Sequence, residues 1–275
     1  MPARPPSVLA LGSCRVHDPL MAVDRRRVRY LNRLFRSRAP IYLHDVHEMI
    51  QFVRLARGEL AMPTEIGRFA FHGGLRVDKR MSAVLGDAER VVIEVCTDKH
   101  YTAAGYVLNV NEIHRQLVET TGPAGTAWWE EIDRGVRPAP ALVQGVEAAL
   151  TAQRKLSDAH RLMLREIAFS QLSSSDIAQG MSTLRALLAR PILVVPHVAV
   201  RLRDGHYLAE RLAHIDKTVD AARQAGLPVL DPRSFVERDG QGLALDAKGT
   251  DFHHYASDYL PIAGAEIVRA LATSC

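Results

Sequence analysis

Ser7–Leu11 reads SVLAL, and Gly12-Ser13-Cys14-Arg15 follows it directly. A short, fully apolar run that ends at a glycine is typical of a buried strand that meets a tight turn. Asp18-Pro19 then predicts the start of a helix. The beginning of the chain therefore predicts a strand, a turn and a helix, which is the repeating unit of an α/β fold.

The remaining strand signals recur along the chain. Arg90–Cys96 (RVVIEVC) is the clearest, because it is apolar and β-branched and follows the turn signal Gly86-Asp87. Weaker strands are predicted at 40–43, 69–74 (FAFHGG), 191–196 (PILVVP) and 227–230 (LPVL). Helical patterns separate the main strands, so we expect an α/β fold with a central parallel sheet and helices on both faces.

The segment between His100 and Arg190 differs in character. It is mostly helical in pattern, with breaks at Gly122–Gly125 and at Pro138 and Pro140. We therefore expect one domain, residues 1–275, with a helical cap inserted at about 102–188.

Composition limits the functional classes. Hydrophobic residues make up 47% and charged residues 24% of the 275 residues, as in an ordinary globular protein. No apolar run reaches the roughly 18–20 residues that cross a bilayer, and the run at Val8–Leu11 is too short for a signal peptide. Three cysteines without metal-type spacing favour free thiols in a reducing compartment. We predict a cytoplasmic protein with no membrane span and no metal.

Positive charge is concentrated in one early segment. The formal net charge is +4, and the segment contains Arg25, Arg26, Arg27, Arg29, Arg33, Arg36 and Arg38. It has few aromatic residues and no nucleic-acid motif, so we expect a solvated helix face and no nucleic-acid partner. A docking surface for an anionic carrier or a phosphate-bearing cofactor is the other alternative.

The turn after the first strand carries the first candidate for chemistry. A thiol at Cys14 would lie near a helix N-terminus, where the helix dipole favours the thiolate and backbone N–H groups can hold an oxyanion. Free cysteines are also commonly buried packing residues, which is the alternative. Ser13 is either a rival nucleophile or a helix cap.

The second candidate lies near the C-terminus, where the sequence reads Asp251-Phe252-His253-His254. A carboxylate three residues before an imidazole can orient the ring while its other nitrogen faces a nucleophile. Open parallel sheets collect their sites at the carboxyl ends of strands. We therefore predict a catalytic triad of Cys14, His254 and Asp251.

Together these two blocks resemble the SGNH (GDSL-like) hydrolase superfamily. Gly12-Ser13-Cys14 is similar to its cysteine-bearing branch, which includes the GSCFA proteins and enzymes of capsular polysaccharide biosynthesis. Without a gap, Cys14 takes the place of the family's serine and Ser13 that of its aspartate. Residues 260–271 resemble the family's final helix. The resemblance implies a flavodoxin-like three-layer sandwich.

The same resemblance suggests where an oxyanion hole would form. Gly73 or Gly74 would correspond to the family's second-block glycine. The third block usually supplies an asparagine, but Cys96-Thr97-Asp98 stands here, so Thr97 is the nearest candidate. Three further side chains are candidates for contact with substrate, and they are Arg15, His197 and His253.

These features predict cysteine-dependent acyl transfer through a covalent acyl-enzyme. The expected donor is an acyl-CoA or an acyl-carrier thioester, with an acyl carrier protein as a possible partner and no tightly bound cofactor. Transfer in polysaccharide or natural-product biosynthesis is what the resemblance implies. The alternatives are hydrolysis as a thioesterase or esterase, a serine-type enzyme that uses Ser13, and a non-catalytic ligand-binding protein.

Three other patterns have ordinary explanations that we prefer. His253–Asp258 fits the HHxxxD pattern of condensation domains, but those domains are much longer and place the motif mid-chain. His44–Glu48 (HDVHE) is not His-Glu-x-x-His, and an exposed polar helix start explains it. Trp128-Trp129 is more often cap packing than an acyl pocket.

Overall fold

The computed structural model describes residues 4–34, 41–71, 79–202, 204–245 and 254–273. Its strands are β1 (Ser7–Leu11), β2 (Arg29–Tyr30), β3 (Arg90–Ile93), β4 (Lys99–Ala103), β5 (Tyr106–Leu108), β6 (Ala168–Gln171) and β7 (Ile192–Val194). Its α-helices are α1 (Cys14–Ala22), α2 (Val46–Ala56), α3 (Thr64–Ala70), α4 (Lys79–Asp87), α5 (Val110–Ile113), α6 (Pro123–Asp133), α7 (Pro140–Ala152), α8 (Asp158–Glu166), α9 (Ser174–Leu188), α10 (Ala209–Gln224), α11 (Arg233–Asp239), α12 (Gln241–Ala244) and α13 (Leu260–Thr273). Short helical turns add Leu31–Leu34, Ser257–Tyr259 and the π-helical His114–Glu119.

The central sheet has four parallel strands in the order β2-β1-β3-β7. Leu11 pairs with Ile93, and Ile93 pairs with Val194, so the three longer strands end at the same edge. The predicted strands at 7–11, 90–96 and 191–196 and their parallel pairing are therefore confirmed. The predicted strand at 227–230 is reduced to one parallel bridge, Val194 to Val229.

The strand predicted at 69–74 is wrong for the residues that are described. Thr64–Ala70 is helix α3, and Ile66, Phe69 and Ala70 form its buried face. The spacing of these three residues is helical, whereas Phe69 and Phe71 alone mimic the alternation of a strand. The weak strand at 40–43 is also not formed by the described residues 41–43. Gly73 and Gly74 lie outside the described residues.

The sheet is buried on both faces, as its apolar strands require. Leu9, Leu11, Val91 and Ile93 point to one face, in a cluster shared with α2 and α9. Val8, Ala10 and Val92 point to the other face, in a cluster shared with α1 and α13. Helices on both faces of a parallel sheet confirm the α/β class.

The region after β3 contains a second, smaller sheet. Strands β4, β5 and β6 are antiparallel in the order β5-β4-β6. Tyr101 of β4 and Trp128 of α6 are fully buried in a separate apolar cluster with α7 and α8. The segment that was predicted to be mostly helical thus also contains a β-sheet. Trp128 packs in its apolar cluster.

Helix α1 is held against α13 by a close approach. A Cβ at Gly264 would lie 2.3 Å from the carbonyl oxygen of Pro19, so only glycine fits there. Helix α1 begins at Cys14 rather than at Asp18, and Pro19 lies inside it. This contact places the element that carries Cys14 against the helix that follows His254. No helix among the described ranges is long and apolar enough to cross a bilayer.

The arginine-rich segment does not form an α-helix where it is described, and only Arg33 lies in a short helical turn. Residues 25–27 form a turn, and Arg29 lies in β2. Arg26 is exposed and pairs with Asp24, with Nη2 2.7 Å from Oδ2. The prediction of a helix is therefore wrong for the turn at residues 25–27. The predicted solvent exposure agrees with the structure at Arg26. Arg36 and Arg38 lie outside the described residues.

Candidate active site

The turn between β1 and α1 is fixed by the side chain of Ser13. Ser13 caps α1, since its Oγ accepts the backbone N–H of Arg15 at 3.2 Å. The same hydroxyl donates to Oε2 of Glu94 at 2.6 Å, and the backbone N–H of Ser13 donates to that oxygen at 3.1 Å. The hydroxyl is therefore engaged as both donor and acceptor in the structure of the turn.

Glu94 connects this turn to the neighbouring strand. The residue is fully buried, and its Oε1 accepts from Nε of Arg15, which is itself 8% exposed. Gly12 makes room for this carboxylate, because a Cβ at Gly12 would lie 2.7 Å from Cβ of Glu94. Sequence reasoning missed Glu94. An acidic residue inside the apolar run RVVIEVC was the signal that could have identified it.

Cys14 is the first residue of α1 and is partly buried. Burial raises the pKa of its thiol above the ordinary value. The positive charge of Arg15 opposes that effect, and the carboxylates of Glu94 and Asp18 add to it. The expectation that the helix dipole would favour a thiolate is thus overridden by desolvation and by nearby acids. A base is required to remove the proton at neutral pH.

The loop after β3 meets the segment at Leu43 and His44. The backbone N–H groups of Cys96 and Thr97 both donate to the carbonyl of His44, at 2.7 and 3.2 Å. Oγ1 of Thr97 accepts the N–H of Lys99 at 3.1 Å. The two backbone donors that Thr97 and Cys96 bring to this edge are thus occupied. Any role of Thr97 in an oxyanion hole would fall to its hydroxyl group.

Asp98, the last residue of that loop, is a structural residue. Its carboxylate pairs with Nζ of Lys217 on α10 and accepts from the amide of Gln171 at 3.1 Å. Its carbonyl accepts the N–H of Leu172 at 2.8 Å. Asp98 therefore joins the small antiparallel sheet to the rim of the central sheet.

A buried polar network surrounds His44, and sequence reasoning did not find it. Nδ1 of His44 lies 2.9 Å from Nδ2 of Asn109 and 3.7 Å from Oε2 of Glu48. The Asn109 amide also donates to Glu48 at 2.9 Å. Burial opposes a charge on His44, but the hydrogen bond and charge of Glu48 outweigh it and raise the imidazole pKa. Glu48 and Asp45 are both buried, so the prediction of an exposed helix start is wrong.

No metal cluster accompanies these histidines in the part of the chain that is described. Asp45 caps α2 and accepts from Nδ1 of His100 at 2.9 Å, and the His100 ring packs against that of His47. The polar residues at 44–48 are therefore used in capping and in ion pairs.

His197 follows β7 and is 6% exposed. Its Nδ1 donates to the carbonyl of Val198 at 2.9 Å. Burial lowers the pKa of His197 far below its usual range, and the positive charges of Arg15 and Arg211 lower it further. His197 is therefore neutral, and three basic side chains share this side of the site.

Helix α10 brings Arg211 and His214 to the same edge. Nε2 of His214 donates to the carbonyl of Val95 at 2.9 Å, which ties α10 to the end of β3. Arg211 lies three residues earlier, on the same face of the helix. Burial and the charge of Arg15 lower the pKa of Arg211. No signal in the sequence pointed to either residue, because both belong to an ordinary amphipathic helix.

The C-terminal block is only partly described. His254 is exposed, and Tyr255 directly after it is buried and pairs with Leu245 in an antiparallel bridge. Burial raises the pKa of Tyr255, and the charges of Glu94 and Arg15 also act on it. The chain at Tyr255 therefore passes near the Glu94–Arg15 pair. Asp251 and His253 lie outside the described residues.

A cavity of about 330 Å³ lies beyond the end of β7. Its lining includes Arg201, Tyr207, Glu237 and Gln241. The guanidinium of Arg201 stacks over the ring of Tyr207, 4.4 Å from its centroid, and Nη2 pairs with Glu237 at 2.9 Å. Its wall thus combines an aromatic ring with planar polar groups.

Comparison with known proteins places this architecture in a family. The profile of the TviD N-terminal domain matches residues 6–270, which is nearly the whole chain. The chain belongs to the TviD N-terminal domain family. The matched range contains the Gly12–Arg15 turn, Glu94 and the segment Asp251–His254.

One relative gives the family a biological setting. The chain is 25% identical over 276 residues to the Vi polysaccharide biosynthesis protein TviD of Salmonella typhi. The alignment covers 96% of this chain and 31% of that protein, so this chain spans about a third of the relative's length. No solved structure matches the chain.

Proposed function

We propose that this protein is a cysteine-dependent acyltransferase that acts in polysaccharide biosynthesis, with Cys14 as nucleophile, His254 as base and Asp251 as the residue that orients His254. The biosynthetic setting is taken from the TviD relative. The fold we assign is the SGNH-like three-layer sandwich, because the nucleophile turn follows the first strand of a parallel sheet and the histidine precedes the final helix.

The observation that carries the proposal is the different use of Ser13 and Cys14. The Ser13 hydroxyl is bound to Glu94 at 2.6 Å and caps α1. Cys14 starts the helix directly after this cap, at the carboxyl edge of the sheet, where sites of open parallel sheets collect. This division supports a structural role for Ser13 in the turn and attack by the sulfur of Cys14.

The proposed reaction has two steps. His254 removes the thiol proton of Cys14, and sulfur attacks the carbonyl carbon of an acyl thioester. The C–S bond to the donor breaks, and the donor leaves as a thiol with the proton from His254. His254 then takes the proton of an acceptor hydroxyl, whose oxygen attacks the acyl-enzyme, and Cys14 recovers its proton as the thioester bond breaks. Water in place of the acceptor gives hydrolysis.

The surroundings of Cys14 support an attack that is assisted by a base. The raised pKa of its thiol makes it a good nucleophile once deprotonated, but one that needs a base at neutral pH. The backbone N–H of Cys14 is our candidate for holding the oxyanion, since the N–H groups of Ser13 and Arg15 already donate to Glu94 and to the Ser13 hydroxyl. The cavity at Arg201 and Tyr207 is our candidate for the acceptor, since hydroxyl-rich molecules suit its polar and aromatic wall.

A direct test is incubation with acetyl-CoA or another acyl thioester, followed by intact-mass measurement. We expect a covalent acyl adduct in the wild type and in Ser13→Ala, and none in Cys14→Ala. Added saccharides that accelerate the loss of the adduct and appear acylated would identify transfer, whereas release of free acid alone would identify a hydrolase. An adduct lost in Ser13→Ala and kept in Cys14→Ala would establish the serine-type alternative. Tight binding of the thioester without any adduct would identify a ligand-binding protein.

A further inference from the structure

A second thiol lies beside the proposed nucleophile, and no part of the proposed reaction uses it. Strands β1 and β3 pair in register, with Leu11 opposite Ile93. One residue after this pair, Gly12 lies directly beside Glu94, since a Cβ added to Gly12 would lie 2.7 Å from Cβ of Glu94. Two residues after these positions, the segment that follows β1 carries Cys14 and the segment that follows β3 carries Cys96.

The loops that carry these cysteines are tied together. The N–H of Leu43 donates to the carbonyl of Gly12 at 3.1 Å, and the N–H of Cys96 donates to the carbonyl of His44 at 2.7 Å. Sγ of Cys96 lies 3.7 Å from the carbonyl oxygens of both Leu43 and Glu94. A single segment, Leu43-His44, therefore fixes the backbone around both thiols.

Both sulfur atoms share the same polar neighbours. The hydroxyl of Ser13 is within hydrogen-bonding reach of Cys14 and of Cys96, and the guanidinium of Arg15 acts on both thiols. Neighbouring strands lie about 4.8 Å apart, and a disulfide bridges Cα atoms that are roughly 4.4–6.8 Å apart. Cys14 and Cys96 thus follow the ends of these two paired strands and share the Ser13 hydroxyl as a neighbour.

The two thiols are both partly exposed, but their surroundings disfavour the thiolate to different degrees. Cys14 is partly buried at the start of α1, with opposing effects from Arg15 and from nearby acids. Burial and the charge of Glu94 raise the pKa of Cys96 well above its ordinary value. An oxidant should therefore react first with Cys14, and Cys96 then serves as the second thiol.

We propose that Cys14 and Cys96 are a modification site, at which a peroxide converts them into an intramolecular disulfide that reversibly blocks the nucleophile. Sulfur of Cys14 attacks one oxygen of hydrogen peroxide, the O–O bond breaks, and a sulfenic acid and water form. Sulfur of Cys96 then attacks that sulfenic sulfur, the S–O bond breaks, and a second water leaves. Two thiols and one peroxide thus give one disulfide and two waters.

The test is peptide mapping after treatment with hydrogen peroxide. Trypsin separates the three cysteines, because cleavage after Arg15, Arg90, Lys99 and Arg269 leaves Cys14, Cys96 and Cys275 on different peptides. We expect intact protein that has lost two hydrogens, a crosslinked pair formed by the Cys14 and Cys96 peptides, and full reversal by dithiothreitol. Cys14 gaining two oxygens in the wild type while Cys96 stays open to alkylation would overturn the proposal.

Cys96→Ser is the matched variant. It retains Cys14, so peroxide should now drive Cys14 to the sulfinic acid, which dithiothreitol does not reverse. Cys275→Ser is the control, and it should behave as the wild type. The proposal is also overturned if Cys96→Ser remains as reversible as the wild type. This readout is a mass and needs no turnover, so a disulfide without acyl transfer would reject the proposed function alone.

Discussion

Glu94 holds Ser13 by two hydrogen bonds to one oxygen, from the hydroxyl at 2.6 Å and from the backbone N–H at 3.1 Å. The other oxygen pairs with Arg15. A single carboxylate directly after β3 thereby fixes the residues on both sides of Cys14. The position of the thiol consequently depends on a strand that is some eighty residues away in the chain.

The first prediction concerns this carboxylate. Glu94→Gln keeps the shape of the side chain but leaves buried Arg15 without its counter-ion. Removal of one partner of a buried ion pair costs about 3–5 kcal/mol, and we expect the lower end because the amide can still accept. Urea denaturation measures the change in the free energy of unfolding.

Glu237→Gln is the control for that substitution. Glu237 pairs with Arg201, and both side chains are 50% exposed. Exposed pairs contribute roughly 0–1 kcal/mol, so this variant should be close to wild type. Equal, small losses in the two variants would contradict the structural role of Glu94.

The second prediction concerns the contact between α1 and α13. Gly264→Ala places a methyl group 2.3 Å from the backbone carbonyl of Pro19, so the helices must separate. Overpacking of this kind costs about 1–3 kcal/mol. Because α1 begins with Cys14, we also expect slower acylation than Gly86→Ala shows. Gly86 lies in α4 with nothing near its Cβ position, so that control should be neutral or slightly stabilised. Unchanged acylation in Gly264→Ala would argue against this coupling.

The third prediction is a dependence of stability on pH that arises from His197. Its folded-state pKa is lowered, so at pH 5.5 the unfolded chain binds a proton that the folded chain does not. Stability from this group is therefore complete above the ordinary histidine value of about 6.5 and falls by about 1.4 kcal/mol per pH unit below it. Urea denaturation of His197→Asn at pH 7.5 and 5.5 should show a smaller loss than the wild type. His206→Gln, at an exposed site, should lose as much as the wild type, and identical losses in all three proteins would refute the assignment.

The fourth prediction concerns the thiol of Cys14. Because its pKa is raised, alkylation by iodoacetamide should have its midpoint above the roughly 8.5 of an unperturbed thiol. The rate is followed on the tryptic peptide that ends at Arg15. A midpoint below the ordinary value would mean that the helix dipole outweighs burial.

A thiol with a raised pKa needs a base, and His254 is the base that we propose. His254→Gln should therefore slow acylation by roughly 10²–10⁴-fold at neutral pH.

The sequence predicted the sheet better than the helices around it. SVLAL, RVVIEV and PILVV are short, apolar and β-branched, and such runs form buried parallel strands. Asp18-Pro19 indicated the wrong helix start, since the cap that begins α1 is Ser13. The antiparallel sheet was missed, because β4 and β6 pair across some seventy residues and the mostly exposed edge strand β6 shows little hydrophobic pattern.

For the site, local signals identified the turn but not its support. Cys14 and Ser13 are adjacent to a strong strand signal, so the sequence could place them. The network of His44, Glu48 and Asn109 is assembled from separate segments, and no local spacing predicts it. Likewise, Arg211 and His214 reach the site only because α10 packs against the end of β3.

The location of the acyl group after a single turnover tests most directly whether Cys14 is the nucleophile. The protein is mixed with a radiolabelled acyl thioester, quenched in acid and digested with trypsin. We expect label on the peptide that ends at Arg15, bound to sulfur and released by hydroxylamine at neutral pH. Label on Ser13, on another peptide or on none, with acyl product still formed, would contradict it.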